Sequence, residues 1–436
     1  MRQYLKKLFT SKFVRNVALV ATGTAGAQAI TMAFAPIITR LYGPEPFGLL
    51  GTFQAILTVA MPIAALTYPI AIVLPKSDDD ARGIAKLSAR LALTMAILLA
   101  IIILVAGDFI VNLLSLQAIA GFLLLIPLAM FFNALQQIMQ QWLIRKNQFK
   151  VTARIAVSQS LILNSSKVGA GFFYPVGAIL IVLATLGNAL YAMQLWFGAK
   201  KWANSEGQID RLKTKKVNLK TLAYKHRDFP YYRAPQVFLD GISQGLPVLM
   251  LASFFGPTSA GFYTLGRTVL GLPSTVIGNA VGQVFYPRIA QAANNNENLT
   301  RLIIKATLLL AAVGFIPFFI VVIFGPILFS FVFGEEWRMA GEYASWLALW
   351  LYFMFMNRPA NHAIPVLDVQ KFYLIFTVIT LGIRLGSLYY GLILFGDALK
   401  AIVLFSIVGV FINIAIILIV IFRSLLFMKE RNVHAS

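Results

Sequence analysis

Four basic residues stand inside or at the ends of long apolar segments, where charged side chains are rare. They are Arg40, Lys167, Arg267 and Arg384. A base at the centre of a membrane helix costs about 2.5 to 3.5 kcal/mol on insertion scales, so it usually faces protein or a water-filled cavity. A phosphate or pyrophosphate group would offset several such bases, because charge-assisted hydrogen bonds are strong in a low-dielectric cleft. These residues therefore predict binding of an anionic headgroup. Arg40 has a second interpretation, in which its side chain extends to the outer membrane interface.

Helical spacing places two of these bases on faces of polar or small residues. The face of Lys167 also carries Ser160, Asn164 and Gly171. The face of Arg267 also carries Gly271, Ser274, Gly278 and Gly282. Residues at steps of three or four share one side of a helix, and small residues there are typical of helix-packing seams. Helix packing alone does not explain a basic residue on such a face. We therefore expect both faces to turn toward the protein interior.

Asp240 is the clearest acid within an apolar segment. Gln236, Ser243 and Gln244 lie on the same helical face. Two interpretations stay open: Asp240 pairs with one of the buried bases, or it is a proton or cation site coupled to an ion gradient.

Other chemistry has little support in the sequence. The chain has no cysteine, and its three histidines (His226, His362 and His434) are scattered. The run Ser77-Asp78-Asp79-Asp80 could suggest metal-dependent glycosyl transfer, but it lies in a short connection and we interpret it as a solvated loop. We predict no metal centre, no catalytic residue and no cofactor; an ion gradient enters only if Asp240 is a coupling site.

Composition identifies the elements that must position these residues. Apolar residues make up 59% of the 436-residue chain, charged residues 12%, and the mean hydropathy is +0.79. Soluble domains carry roughly 25% charged residues, so the chain is predicted to be a polytopic membrane protein. The 37 Lys and Arg against 16 Asp and Glu cluster in short connections, where they set topology rather than bind nucleic acid.

Counting apolar segments of about 20 residues predicts twelve transmembrane helices in an all-α fold. One example is the second segment, expected near Phe47 to Leu74. Most bases fall on one side of the membrane if the N-terminus is cytoplasmic, which predicts that both termini are cytoplasmic. The apolar pattern breaks between residues 198 and 228, where bases are frequent.

A short turn occurs twice in the chain. Gly43, Pro44 and Gly48 recur as Gly256, Pro257 and Gly261, each 213 residues later. The spacing predicts two related six-helix bundles, 1–197 and 229–436, joined by a basic cytoplasmic linker at 198–228. An even number of spans in each half predicts a parallel repeat. The same offset places Gln54 at the position of Arg267, so that one half is neutral where the other is cationic.

These motifs together resemble a known family. They are Ile38-Thr39-Arg40-Leu41-Tyr42-Gly43-Pro44 with Phe47-Gly48, the stretch from His226 to Pro230, and Phe255-Gly256-Pro257 continuing through Arg267 and Pro273 to Tyr286-Pro287. From about Asn16 to Leu426 the chain resembles the polysaccharide biosynthesis family. It is similar to O-antigen-type flippases of the multidrug/oligosaccharidyl-lipid/polysaccharide exporter superfamily.

The resemblance implies a fold of two six-helix bundles, like that of the multidrug exporters, and a non-enzymatic transport role. The implied cargo is undecaprenyl-pyrophosphate-linked oligosaccharide, such as a lipopolysaccharide O-antigen unit, moved from the cytoplasmic to the periplasmic leaflet of the bacterial inner membrane by alternating access. Lys167, Arg267 and Arg384 would contact the pyrophosphate or acidic sugars, with Arg40 and Gln54 as further substrate-binding candidates. Membrane lipids and other glycan-assembly membrane proteins are the implied partners.

Two alternatives differ in function class. An ion-coupled drug or cation antiporter would share the fold, but acids rather than bases should dominate its cavity. A membrane oligosaccharide polymerase or ligase would need a long outer loop that carries catalytic residues, and none of the predicted outer loops is long enough.

Overall fold

A computed structural model describes residues 12–205, 218–295 and 297–435 of the chain. Every regular element within these ranges is helical, which confirms the all-α prediction. The chain divides into two compact units, the first ending at Ala260 and the second beginning at Gly261. The helices up to residue 225 are α1 (Lys12–Tyr42), α2 (Pro44–Ala64), α3 (Asp78–Leu114), α4 (Leu125–Arg145), α5 (Phe149–Gly171), α6 (Gly177–Ser205) and α7 (Leu219–Lys225).

The later helices include several that are much longer than a soluble helix. They are α8 (Ala234–Asn294), α9 (Leu299–Phe333), α10 (Arg338–Met356), α11 (Arg358–Ala363), α12 (Gln370–Phe395) and α13 (Ala398–Ala435). Short helical turns at Tyr68–Val73, Gln117–Phe122, Phe229–Arg233 and Glu335–Trp337 connect some of them. Helix α8 is interrupted at Gly256, whose backbone angles are not helical.

Seven helices of the described chain are long and apolar enough to cross a membrane. Helix α3 shows that these helices are not surrounded by water, because its large apolar residues Leu104, Val105 and Phe109 are 69%, 83% and 68% exposed. So much exposed apolar surface is stable only against lipid. The chain is therefore a multi-pass membrane protein, and the count of twelve spans stays a prediction.

The predicted second span was too long at its end. Helix α2 stops at Ala64 rather than near Leu74, because Leu66 and Thr67 have positive φ values of 47° and 57°. A left-handed backbone cannot continue a right-handed helix. A 3₁₀ turn, Tyr68–Val73, then leads toward α3.

An arginine closes the corner between this turn and α3. Arg145 Nη1 donates to the carbonyl oxygens of Pro75 at 2.6 Å and Ile72 at 3.3 Å, and its Nε donates to Asp78 Oδ1 at 3.1 Å. Lys146 also pairs with Asp78, and the Ser77 hydroxyl caps α3 by accepting from the backbone N–H of Asp79. The acidic run therefore includes a helix cap and an ion-paired carboxylate.

The predicted linker at 198–228 is partly helical. Helix α6 continues to Ser205 and α7 begins at Leu219, while residues 206–217 lie outside the described part of the chain. The structure groups residues 229–260 with the first unit, whereas the predicted second bundle begins at 229. The predicted bundle limits therefore remain predictions.

The two copies of the Gly-Pro turn have the same backbone conformation. Gly43 has φ 69° and ψ −180°, and Gly256 has φ 79° and ψ 177°. This region is essentially restricted to glycine, and the proline that follows each glycine suits the first position of the next helix. The conformation explains why both residue types recur at the same spacing; the repeat of the two halves as a whole stays a prediction.

We expect Gly256→Ala to destabilise the protein by about 1–3 kcal/mol through backbone strain alone. An added Cβ at this position would have no heavy atom within 4 Å, so steric crowding does not contribute. Gly386→Ala is the matched control, because this glycine is helical within α12 and has equally open space. The control should be neutral or stabilising by up to about 1 kcal/mol. Apparent melting temperatures in detergent test this, and equal values for the two variants would contradict the strain argument.

Candidate functional site

The first unit contains a cavity of about 480 Å³, within the size range of small-molecule sites. Three elements enclose it: the end of α2 with the turn that follows, the middle of α4, and the beginning of α8. Its polar lining residues are Thr58, Thr67, Asn133, Gln137, Arg233, Asp240 and Gln244. Its apolar lining comes mainly from Met61, Pro62, Ile70, Ala134 and Val237.

Helical periodicity brings these polar side chains to the cavity in pairs. Asn133 and Gln137 are one turn apart on α4, and Gln137 Nε2 lies 3.4 Å from Asn133 Oδ1. Asp240 and Gln244 are likewise one turn apart on α8. Residues four apart share a helix face, so each pair turns toward the same space.

Two glycines of α8 hold this helix directly on the backbone of α2. A Cβ atom at Gly241 would lie 2.8 Å from the carbonyl oxygen of Thr58, and one at Gly245 would lie 2.8 Å from that of Ala55. No side chain fits at such separations, so small residues are required where the two helices cross. This contact fixes the position of Asp240 relative to Thr58 across the cavity.

The cavity contains one acid and one base. Arg233 Nη1 donates to Gln236 Oε1 at 2.9 Å, and Arg233 lies seven residues before Asp240, so the two side chains reach the same cavity from one side of the same helical stretch. Within the described residues, no basic nitrogen lies within 4 Å of the Asp240 carboxylate. The expectation of a direct ion pair for Asp240 thus has no support in the geometry.

The second unit brings two of the predicted bases together. The Arg384 guanidinium on α12 lies over the ring of Trp350 at 4.3 Å and over that of Phe405 at 4.8 Å. Both rings are almost fully buried. Arg267 is near enough for its charge to repel that of Arg384, and the Arg384 Nε has no hydrogen-bond partner in the described structure.

Lys167 lies at a helix-packing seam of the first unit. The Ser160 hydroxyl lies 3.0 Å from that of Thr31, and Asn164 Nδ2 donates to the Thr31 hydroxyl at 3.2 Å. The backbone carbonyl of Lys167 accepts a hydrogen bond of 2.8 Å from the Tyr42 hydroxyl. The polar stripe of α5 therefore joins α5 to α1, while the Lys167 side chain is partly buried.

Arg40 and Gln54 are exposed, and neither is among the described residues that line the cavity. The sequence interpretation had missed Asn133, Gln137 and Arg233. A signal for the first two existed, because amides at a spacing of four within an apolar segment mark a polar face of a membrane helix. Nothing in the sequence indicated that this face would meet α8.

Comparison with known sequences gives one family and one curated relative. A family model described as polysaccharide biosynthesis protein matches residues 37–342. The succinoglycan biosynthesis transport protein ExoT of Rhizobium meliloti strain 1021 is 22% identical over 352 residues. This match covers 77% of the present chain and 65% of the relative, so the chain spans just under two thirds of that protein.

Solved structures with similar folds belong to two kinds of transporter. The lipid II flippase MurJ in an inward closed conformation has a TM-score of 0.68 at 14% identity, covering 96% of this chain and 93% of that chain. An inward-facing multidrug resistance MATE family transporter of the MOP superfamily has a TM-score of 0.61 at 13% identity, covering 94% and 95%. At these identities the likeness establishes the fold alone.

We expect Arg384→Met to leave stability unchanged or to raise it by about 1–2 kcal/mol. Replacing a poorly hydrated charge by an apolar side chain of similar length is often neutral or stabilising, and it offsets the lost cation–π contacts of about 0.5–2 kcal/mol each. Trp350→Ala, which removes a buried ring beside the same arginine, should destabilise by about 3–5 kcal/mol. Melting curves of both variants test this. If Arg384→Met lowers stability as much as Trp350→Ala does, Arg384 is a structural residue.

Proposed function

Because the chain belongs to the polysaccharide biosynthesis protein family, we propose that it is a lipid flippase of surface-glycan assembly. The proposed cargo is an oligosaccharide carried on undecaprenyl pyrophosphate, such as an O-antigen repeat unit. The protein would move it from the cytoplasmic to the periplasmic leaflet of a bacterial inner membrane. The transport role in the name of the ExoT relative and the flippase among the similar folds both support this choice.

The observation that carries the proposal is the pair of arginines inside the second unit. Arg384 lies over the buried rings of Trp350 and Phe405, and Arg267 of α8 is near enough for its charge to act on Arg384. A diphosphate brings several negative charges and many acceptor oxygens, and guanidinium groups bind such oxygens with two parallel hydrogen bonds. Binding of the pyrophosphate would therefore neutralise the positive charge of both arginines.

The aromatic rings would give Arg384 a fixed orientation. Trp350 and Phe405 occupy positions over the guanidinium plane, so its donors at the edge of the plane remain the groups that can reach a ligand. Arg267 would supply the second positive charge. Lys167, Arg40 and Gln54 remain further candidates for contacts with the cargo.

Transport by alternating access suits the architecture of the described chain. Its connections between long helices are short, and the described ranges contain no folded domain outside the helical units. A polymerase or ligase would need such a region for catalytic groups. We therefore propose a transporter without enzymatic activity.

A drug or cation antiporter is the second candidate, since the MATE transporter has a similar fold. Two neighbouring arginines would repel a cationic drug, whereas they attract a pyrophosphate. The charge of this site thus favours the lipid-linked cargo over the cationic one.

We expect Arg267→Ala to lower export of lipid-linked oligosaccharide by about tenfold or more, because a charge-assisted hydrogen bond to the pyrophosphate is lost. The measurement is periplasmic glycan output in cells that depend on this protein, at matched amounts of inserted protein. Arg338→Ala is the matched control, because this arginine of the same unit is exposed and pairs with the exposed Glu335. It should export normally.

Arg267→Lys separates charge from shape. Recovery with lysine would show that positive charge suffices, whereas continued loss would show that the planar guanidinium is required. Normal export by Arg267→Ala would rule out the proposed role of this residue.

A further inference from the structure

We propose that the cavity of the first unit binds uncharged sugar residues of the cargo, through Asp240 and the amide side chains of Asn133, Gln137 and Gln244. The inference rests on the proposed function, since it assumes a glycan cargo, and it adds a recognition site for the sugars. The arginine pair of the second unit would bind the pyrophosphate but offers no means of distinguishing one glycan from another.

The charges of the cavity exclude the simplest alternatives. Arg233 and Asp240 line the same space, so their formal charges cancel. For a phosphate the attraction of Arg233 is offset by the repulsion of Asp240, and for a metal cation the attraction of Asp240 is offset by the repulsion of Arg233. A cavity with no net charge and several polar groups favours a neutral ligand that forms many hydrogen bonds.

The amides have the hydrogen-bonding capacity that sugar hydroxyl groups need. Each hydroxyl both donates and accepts, and each amide presents an NH₂ donor beside a carbonyl acceptor. A carboxylate such as Asp240 can accept from two neighbouring hydroxyls with its two oxygens. Alkali and alkaline-earth cations instead prefer a shell of oxygens alone, which NH₂ and guanidinium donors interrupt.

The two amides of α4, Asn133 and Gln137, make only a weak contact with each other. The Gln137 to Asn133 contact of 3.4 Å is long for a hydrogen bond, so a ligand can replace it at little cost. Asp240 projects from the helix that Gly241 and Gly245 hold on the α2 backbone. Its carboxylate is solvent-exposed and lines the cavity, where a hydroxyl can reach it.

The volume of the cavity and its apolar lining also agree with a sugar ligand. The volume of about 480 Å³ is far larger than one ion needs and lies within the range for small organic ligands. Met61, Pro62 and Val237 provide apolar surface against which the C–H faces of a sugar ring can pack. Polar groups on two helices and apolar groups between them match the alternating surface of a pyranose.

Segments beside the cavity are tied together by hydrogen bonds. The Thr67 hydroxyl donates to the carbonyl oxygen of Phe229 at 3.2 Å, and the Tyr68 hydroxyl donates to that of Ala223 at 3.0 Å. The turn after α2 is thereby fixed to the residues that precede α8. A ligand in the cavity would contact side chains from elements that the fold already holds in place.

The test compares two probes with the purified full-length protein in lipid nanodiscs. One probe is the lipid-linked oligosaccharide extracted from the bacterium that encodes the protein, and the other is undecaprenyl pyrophosphate without sugar. We expect the wild type to bind the glycosylated probe more tightly. Gln137→Ala and Asp240→Ala should each weaken binding of the glycosylated probe by about three- to tenfold, because each variant loses a hydrogen bond. Neither variant should change binding of the sugar-free probe.

Two further variants make the outcome specific. Gln136→Ala removes the same kind of side chain from α4 at a position outside the set that lines the cavity, and it should change neither affinity. Asp240→Asn keeps most hydrogen-bonding capacity and should retain sugar binding better than Asp240→Ala. If Asp240→Asn instead abolishes a dependence of binding on Na⁺ or pH and leaves the preference for the glycosylated probe intact, Asp240 is an ion site and the proposal is wrong.

Failure of this inference differs from failure of the proposed function. If Arg267→Ala weakens binding of both probes equally while the cavity variants leave both affinities unchanged, the flippase proposal stands and the proposal of a sugar site is wrong. If the wild type binds neither probe, the proposed function itself fails. Melting curves verify folding, and the Asn133→Ala and Gln137→Ala double variant replaces Asp240→Ala if the latter does not fold.

Discussion

Arg384 keeps its positive charge inside a helical unit with an apolar surface, because the faces of Trp350 and Phe405 partly replace the water that it has lost. The rings leave the Nε donor unsatisfied within the described structure, and the charge of Arg267 adds repulsion. Such an arrangement does not maximise stability. Under the proposed function, this arrangement holds a positive charge ready for an anionic headgroup where lipid and apolar helices surround it.

The two units contain different kinds of polar groups among their apolar helices. The second unit contains the bases Arg267 and Arg384, and it also contains a buried contact of 3.0 Å between the side chains of Asn357 and Asn413. The first unit has a cavity in which one acid and one base balance. A lipid-linked glycan has the same division, with charge at the pyrophosphate and neutral hydroxyl groups along the sugars. Under the proposed function, the charged groups would serve the pyrophosphate and the neutral cavity would serve the sugars.

The correspondence at an offset of 213 residues extends beyond the Gly-Pro turn. Arg145 and Arg358 stand 213 residues apart, one at the end of α4 and the other directly after α10. Arg145 donates to backbone carbonyls that follow α2 and to Asp78. The Nε of Arg358 is buried and has no partner within the described residues. The backbone conformation of both turns requires glycine, whereas the side-chain contacts of the two arginines differ.

The sequence alone determined the class of the protein, since apolar segments of membrane-spanning length and the restriction of Gly43 and Gly256 to positive φ are local properties. It also identified Arg267 and Arg384, because a charge within an apolar segment stands out without reference to any partner. Only the tertiary structure decided that Ser160 and Asn164 join α5 to α1, and that amides of α4 meet Asp240 of α8 around one cavity. These contacts join residues more than a hundred positions apart. Helical periodicity specifies which residues share a face, but the face that each helix meets depends on how all the helices pack.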